Sequence, residues 1–146
     1  MLDSDKNANI GSLIKVLSDA ISKKAKNDFK EYNLTMQQIK ILSYLKQMEG
    51  GEPVSQKDIQ DYLRIAHPTV VSILKGMEAK GFIKTHTCET DKRMKIVCLT
   101  GKENDFFEKV IIGRKKMENQ ILKGMTEDEK EHLRDYLKRM YENIKE

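Results

Sequence analysis

From Asn9 to about Asn33 the apolar residues Ile10, Leu13, Ile14, Leu17, Ile21, Ala25, Phe29 and Tyr32 recur every three or four positions, with no proline among them. That spacing predicts one long amphipathic helix. Thr35 and Gln38 stand at capping-box spacing, where a hydroxyl accepts from the third amide and the glutamine side chain reaches back. They open a predicted second helix from Met36 to about Met48, with Ile39, Leu42 and Leu45 inward. Gly50-Gly51-Glu52-Pro53 reads as a loop. Ser55 caps a short helix to about Tyr62, anchored by Ile59 and Leu63.

Pro68 suits the first position of the next helix, where its missing amide proton has no partner to lose. That helix runs to about Lys80, with Val70, Ile73, Leu74 and Met77 on one face and Pro68, Val71, Ser72, Lys75 and Ala79 on the other. Gly81 supplies a left-handed stop. Phe82 to Thr87 and Met94 to Leu99 are β-branched and apolar around a polar turn, the pattern of a two-stranded hairpin. Two more helices close the chain, each opened by capping-box spacing (Thr100 with Glu103, Thr126 with Glu129) and separated by Gly124. Phe106, Phe107, Val110, Ile111, Met117, Ile121 and Leu122 form the stripe of the first, and Leu133, Leu137, Met140 and Ile144 that of the second. The expected fold class is mainly α with a small β-hairpin wing. The terminal helices carry more apolar surface than the 46-residue central segment covers, so a second copy of the chain is the expected partner.

Composition narrows the classes. The 146 residues suffice for one domain with its own core, 38% hydrophobic and 34% charged. No apolar run approaches the roughly 18 residues that cross a bilayer, and the polar start at Asp3 and Asp5 lacks the form of a secretory signal. Two cysteines, Cys88 and Cys98, are too few for a disulfide scaffold, so a reducing cytoplasm is the expected location. Residues 54–100 hold eight Lys and Arg against five Asp and Glu, three of the net four positive charges. That excess points towards a polyanionic partner.

Leu34-Thr35 with Gln38 and Ile41-Leu42, then Ser55-Gln56-Lys57-Asp58-Ile59, then His67-Pro68-Thr69-Val70 with Met77 to Ile83, then Asp91-Lys92-Arg93 and Leu99-Thr100, resemble the MarR family of winged helix-turn-helix regulators. The resemblance spans residues 34–104. It implies a single MarR-like domain over residues 1–146, with a winged helix-turn-helix DNA-binding part at 34–100 and dimerisation helices at 9–33 and 101–146. It further implies a homodimer that binds a pseudo-palindromic double-stranded operator and usually represses transcription. A small-molecule effector, often an anionic phenolic compound, or an oxidant commonly relieves binding in that family.

The residues themselves assign the same roles. A helix with small and short polar groups outward enters the major groove, about 12 Å wide, and brings its first turns to base edges. Thr69, Ser72 and Lys75 are the candidates there, with His67 at the entrance. Ser55, Gln56 and Lys57 open the preceding helix, whose free amides and positive dipole end suit a phosphate. Arg93, at the hairpin tip beside Lys92, fits a narrow minor groove, and Asp91 orients it. Where the family commonly places a hydroxyl residue followed by arginine, this chain has Val71-Ser72. Val71 either meets a thymine methyl or packs on the neighbouring helix. Gly76 costs about 1 kcal/mol against alanine in a helix, explained by close packing or by close approach of DNA.

Other classes find less support. His86, Cys88 and Cys98 cluster about the hairpin and make a thiol- or metal-responsive regulator one alternative, with His86 and Cys88 on one face if the strand reaches that far. A turn near Glu89 to Arg93 sets Cys98 opposite residues near Phe82 to Lys84, which disfavours a disulfide to Cys88 or a compact ligand set. His67, His86 and His132 are scattered, and no nucleophile elbow, phosphate-binding glycine loop or metal-ligating carboxylate pair occurs, so neither an enzyme nor a cofactor or metal site is expected. A winged-helix protein-interaction adaptor is the remaining alternative. For an effector, Phe29, Tyr32, Tyr44 and Phe106 either line a pocket or belong to the core.

Overall fold

The structure is a computed structural model describing residues 9–146; Asp3 and Asp5, at the polar start of the chain, lie outside them. In order come α1 (Ile10–Asp28), a one-turn 3-10 helix (Lys30–Tyr32), α2 (Met36–Gln47), α3 (Gln56–Leu63), α4 (His67–Ala79), β1 (Ile83–Thr87), β2 (Lys95–Leu99), α5 (Glu103–Ile121) and α6 (Glu127–Ile144). The chain forms two compact units, one ending at Val110 and the other spanning Ile111–Glu146.

In the first unit, Ile41, Leu42 and Leu45 of α2, Ile59 of α3, Val70, Leu74 and Met77 of α4, and Phe82, Ile83, Val97 and Phe106 form one buried core. Fully burying a side chain of this size contributes about 1.5–3 kcal/mol, so α2, α3, α4, the hairpin and the first turn of α5 hold one another in place. Inward α2 positions include Ile41, fully buried, whereas Ile39 is only half-buried. The contact face is therefore rotated slightly from the one the spacing predicts.

The single long helix expected over residues 9–33 ends at Asp28. Phe29 leaves helical geometry and caps α1 through its amide to Ala25 O, and Asn33 adopts the left-handed conformation that Asn tolerates. The bend sets Phe29 and Tyr32 edge-on to Phe106, at centroid separations of 5.8 and 5.2 Å. Aromatic burial thus overrides helical propensity. Tyr32 also donates to Asp105 Oδ2 at 2.7 Å, and Lys109 Nζ donates to Glu31 Oε1 at 2.8 Å. Burial and the Asp105 bond push the Tyr32 phenol above its usual value. The Glu31 hydrogen bond does the same for Lys109.

The hairpin pairs antiparallel in the register Ile83–Leu99, Lys84–Cys98, Thr85–Val97, His86–Ile96 and Thr87–Lys95. On the other edge of β2, Val97 N donates to Val54 O at 2.9 Å and Ser55 bridges to Ile96. The start of α3 is thereby tied to the root of the wing. Thr100 does not form its expected capping box with Glu103. Its amide donates to Phe82 O and its hydroxyl to Gly81 O, so the turn after β2 has claimed both groups. The buried Glu103 carboxylate instead accepts from Gly101 N at 2.7 Å.

In the second unit, Thr126 and Glu129 form the reciprocal box that opens α6, and Gly124 takes a positive φ of 86° between the helices. Arg134 lies 3.9 Å from Glu118. Ile111, Ile112, Tyr136, Leu137, Tyr141 and Ile144 are exposed. Among the described residues no helix is long and apolar enough to cross a membrane.

Candidate nucleic-acid interface

Two helices and a turn set the geometry. Ser55 Oγ accepts from Asp58 N at 3.1 Å while Asp58 Oδ2 accepts from Ser55 N at 2.8 Å, a reciprocal box that fixes where α3 begins. At the other end Arg64 takes a left-handed φ of 54° and its amide closes on Gln60 O. Three residues, Arg64 to Ala66, then carry the chain into α4. Here the structure differs by one position from expectation: His67 is the first helical residue and Pro68 the second, with Ala66 as an N-cap lacking a side-chain bond. A proline is still accommodated, because the first-turn amides have no intrahelical acceptor.

α4 buries Val70, Leu74 and Met77 and exposes Thr69, Ser72 and Lys75, with Val71 half-buried between them. At its far end, Lys80 Nζ donates to Gln38 Oε1 at 2.8 Å and also to Asn33 O. Gly76 is explained by packing: a β-carbon there would stand 3.2 Å from Gln38 Nε2. Thr85 donates through both its amide and its hydroxyl to Glu78 Oε1, joining the wing to α4.

Within the wing, Asp91 orders the turn through backbone contacts. Its carboxylate accepts from Arg93 N at 3.0 Å and its carbonyl accepts from Met94 N at 2.9 Å. Lys92 and Arg93 are exposed there.

These elements meet at a cleft of about 270 Å³ lined by Ser55, Gln56, Lys57, Gln60, His67, Arg93, Met94 and Lys95. Lys57 enters from α3, His67 from the start of α4, and Arg93 and Lys95 from the wing. Among the described residues the lining holds three basic side chains, Lys57, Arg93 and Lys95, and no carboxylate. Coulombic attraction in so confined a space favours an anion. Ser55 contributes as a buried cap whose hydroxyl is engaged by Asp58, so Gln56 and Lys57 present the open part of the α3 start.

The cleft therefore gathers Ser55, Gln56, Lys57, His67 and Arg93 of the expected site residues. Thr69, Val71, Ser72 and Lys75 lie along α4, and Lys92 at the wing turn, outside the cleft lining. Gln60, Met94 and Lys95 complete the lining. Lys95 is recognisable only from the hairpin register, and Gln60 only from the way the Arg64 turn folds α3 towards His67, where His67 Nδ1 and Gln60 Oε1 are 3.1 Å apart.

The register sets Cys98 opposite Lys84, as expected. β1 ends at Thr87, and His86 meets Cys98 rather than sharing a strand face with Cys88: Sγ of Cys98 lies 3.9 Å from His86 Nδ1, a diagonal of the register. Cys88 Sγ sits 3.2 Å from Thr90 Oγ1, and that hydroxyl holds the thiol below its usual range. Among the described residues no group of three or more His, Cys, Asp or Glu is arranged to hold a metal ion. Phe29, Tyr32, Tyr44 and Phe106 belong to the core or pack against it, with Tyr44 stacked on Tyr62 at 4.3 Å.

Comparison with known proteins agrees with this geometry. The model of the MarR family matches residues 32–94. The HTH-type transcriptional regulator YwoH of Bacillus subtilis, itself uncharacterized, is 31% identical over 111 residues, covering 76% of this chain and 78% of YwoH. The HTH-type transcriptional regulator PecS of Dickeya dadantii is 28% identical over 143 residues, covering 98% and 86%. A crystal structure of a MepR–DNA complex from S. aureus superposes with a TM-score of 0.78 at 24% identity, covering 92% of this chain and 99% of that one. Helix order, hairpin wing and relatives agree: the chain is a transcriptional regulator of the MarR family.

Proposed function

We propose that the chain binds double-stranded DNA as a homodimer on a pseudo-palindromic operator, represses transcription there, and is released by a small-molecule effector. The observation that carries the reading is the cationic cleft where α3, α4 and the wing converge. With α4 in the major groove, Thr69, Ser72 and Lys75 face base edges, and half-buried Val71 meets a thymine methyl. Lys57 and the open amides of α3 hold backbone phosphate, while Arg93 and Lys92 reach the adjacent minor groove.

Support for the dimer comes from uncovered apolar residues. Ile10 and Leu17 on α1 are 60% and 49% exposed, and Tyr141 and Ile144 on α6 are 64% and 79% exposed. Apolar surface of that extent is covered by a second copy in a symmetric oligomer. The two-fold axis then repeats α4 one helical turn of DNA away, which is why the operator is pseudo-palindromic. The MepR structure in complex with DNA lends the DNA reading further support. Effector release rests on the family, and anionic phenolic compounds are the first to test.

Selection of bound duplexes from a random library with the purified protein tests the reading. A recovered motif with two inverted half-sites is the expected result. A titration of that duplex should lose affinity steeply as salt rises, since each neutralised phosphate releases counterions. Recovery of no motif, with no salt-dependent binding to any duplex, contradicts it.

A further inference from the structure

Gln60 is an uncharged polar side chain of the cleft that meets the first residue of α4. Its Oε1 lies 3.1 Å from His67 Nδ1. A carbonyl oxygen only accepts, so the singly protonated ring that matches this contact has its hydrogen on Nδ1 and a lone pair on Nε2. The cleft residues around the ring are cationic, with Lys57 on α3 and Arg93 and Lys95 on the wing, so a phosphate there is already served by better donors. A lone pair on Nε2 repels phosphate oxygen. It is matched by a hydrogen-bond donor, and the donors that the major groove offers are the exocyclic amines of cytosine and adenine. His67 is the first residue of α4, where a recognition helix meets base edges.

We propose that Gln60 is a positioning residue that fixes the tautomer and orientation of His67, making His67 a reader of one cytosine or adenine amine per half-site. The proposal rests on the DNA-binding reading above. Gln60 acts through His67 and contacts no base itself. Two residues on successive helices, joined across the left-handed turn at Arg64, thus form one specificity unit.

Two measurements test it. The first is imidazole ¹⁵N NMR on the free protein, with no DNA present. His67 should show a pyrrole-like Nδ1 and a pyridine-like Nε2, and Gln60→Met should abolish that pattern. The second is the base-substitution profile of the selected duplex for wild type, His67→Ala, Gln60→Met and Gln60→Glu. Wild type should prefer an amine-bearing base at one position of each half-site by about fivefold, the discrimination that one hydrogen bond supplies. His67→Ala and Gln60→Met should flatten that same position and leave the salt dependence unchanged. Gln60→Glu sets a carboxylate against Nδ1–H, which favours the doubly protonated ring, so it too should lose the preference.

A uniform loss across all sequences, with a shallower salt slope, would assign His67 to phosphate and overturn the proposal while leaving the DNA reading intact. A pyridine-like Nδ1 in the free protein overturns it independently. Failure to bind any duplex removes both.

Discussion

Lys80 Nζ donates to Gln38 Oε1 at 2.8 Å, and the same oxygen accepts from Thr35 N at 3.1 Å. One buried amide therefore caps α2 and anchors the C-terminal end of α4. Its nitrogen leaves only 3.2 Å to a β-carbon at Gly76.

Gly76→Ala is accordingly expected to destabilise, although alanine in a helix interior is ordinarily favoured by about 1 kcal/mol. Displacing Gln38 loosens two hydrogen bonds, each contributing about 0.5–1.5 kcal/mol. In a Gln38→Ala background the obstacle is gone and Gly76→Ala should stabilise. Urea denaturation of the four proteins measures this coupling. Additive effects would show that the contact does not govern Gly76.

Lys57→Ala should weaken binding to all duplexes by a similar factor and reduce the log–log salt slope by about one unit, whereas Arg93→Ala should cost most on duplexes with a narrow, A·T-rich minor groove. Thr69→Val and Ser72→Ala should instead alter the base preference with little change in slope. Fluorescence anisotropy at a series of salt concentrations separates the two outcomes. A sequence-dependent effect of Lys57→Ala would move it from phosphate to base contact.

Much of this fold is legible from the chain itself because its signals are local. Thr35 with Gln38 and Thr126 with Glu129 carry their capping partners within one turn, and the hairpin register follows from its turn. Signals fail where tertiary contacts compete. Phe29 and Tyr32 continue the apolar period of α1, yet the chain bends there because both rings pack on Phe106, some seventy residues away. Thr100 has the right spacing for a cap, but Phe82 and Gly81 take its amide and hydroxyl. In the interface, exposed side chains on α4 follow from helical geometry alone. Gln60 and Lys95 do not, because their place in one cleft with His67 depends on how α3, α4 and the wing are folded together.

Cys88 should alkylate faster than Cys98 near neutral pH. The Thr90 hydroxyl bond lowers the Cys88 pKa, enlarging its thiolate fraction. Mass spectrometry of iodoacetamide labelling measures both rates, and Thr90→Val should slow Cys88 selectively. Equal rates in the two proteins would show that the hydroxyl does not stabilise the thiolate.

Tyr32 should ionise at higher pH than a free tyrosine, because burial and its bond to Asp105 favour the neutral phenol. Its folded pKa lies above the unfolded value, so the folded state binds more protons there. The resulting stability is present below the unfolded value and lost as pH rises through the folded one. Tyr32→Phe should remove that alkaline component, read as a smaller fall in thermal stability on raising the pH. An unchanged alkaline profile would show that Tyr32 is not coupled to folding.

The most direct test of the central claim is sedimentation of the protein with its selected duplex across a salt series. Two chains should bind each duplex, with affinity falling steeply as salt rises and collapsing when Lys57, Arg93 and Lys95 are replaced together by alanine. A single chain per duplex, or binding indifferent both to salt and to those three residues, would contradict the assignment of the cationic cleft to DNA.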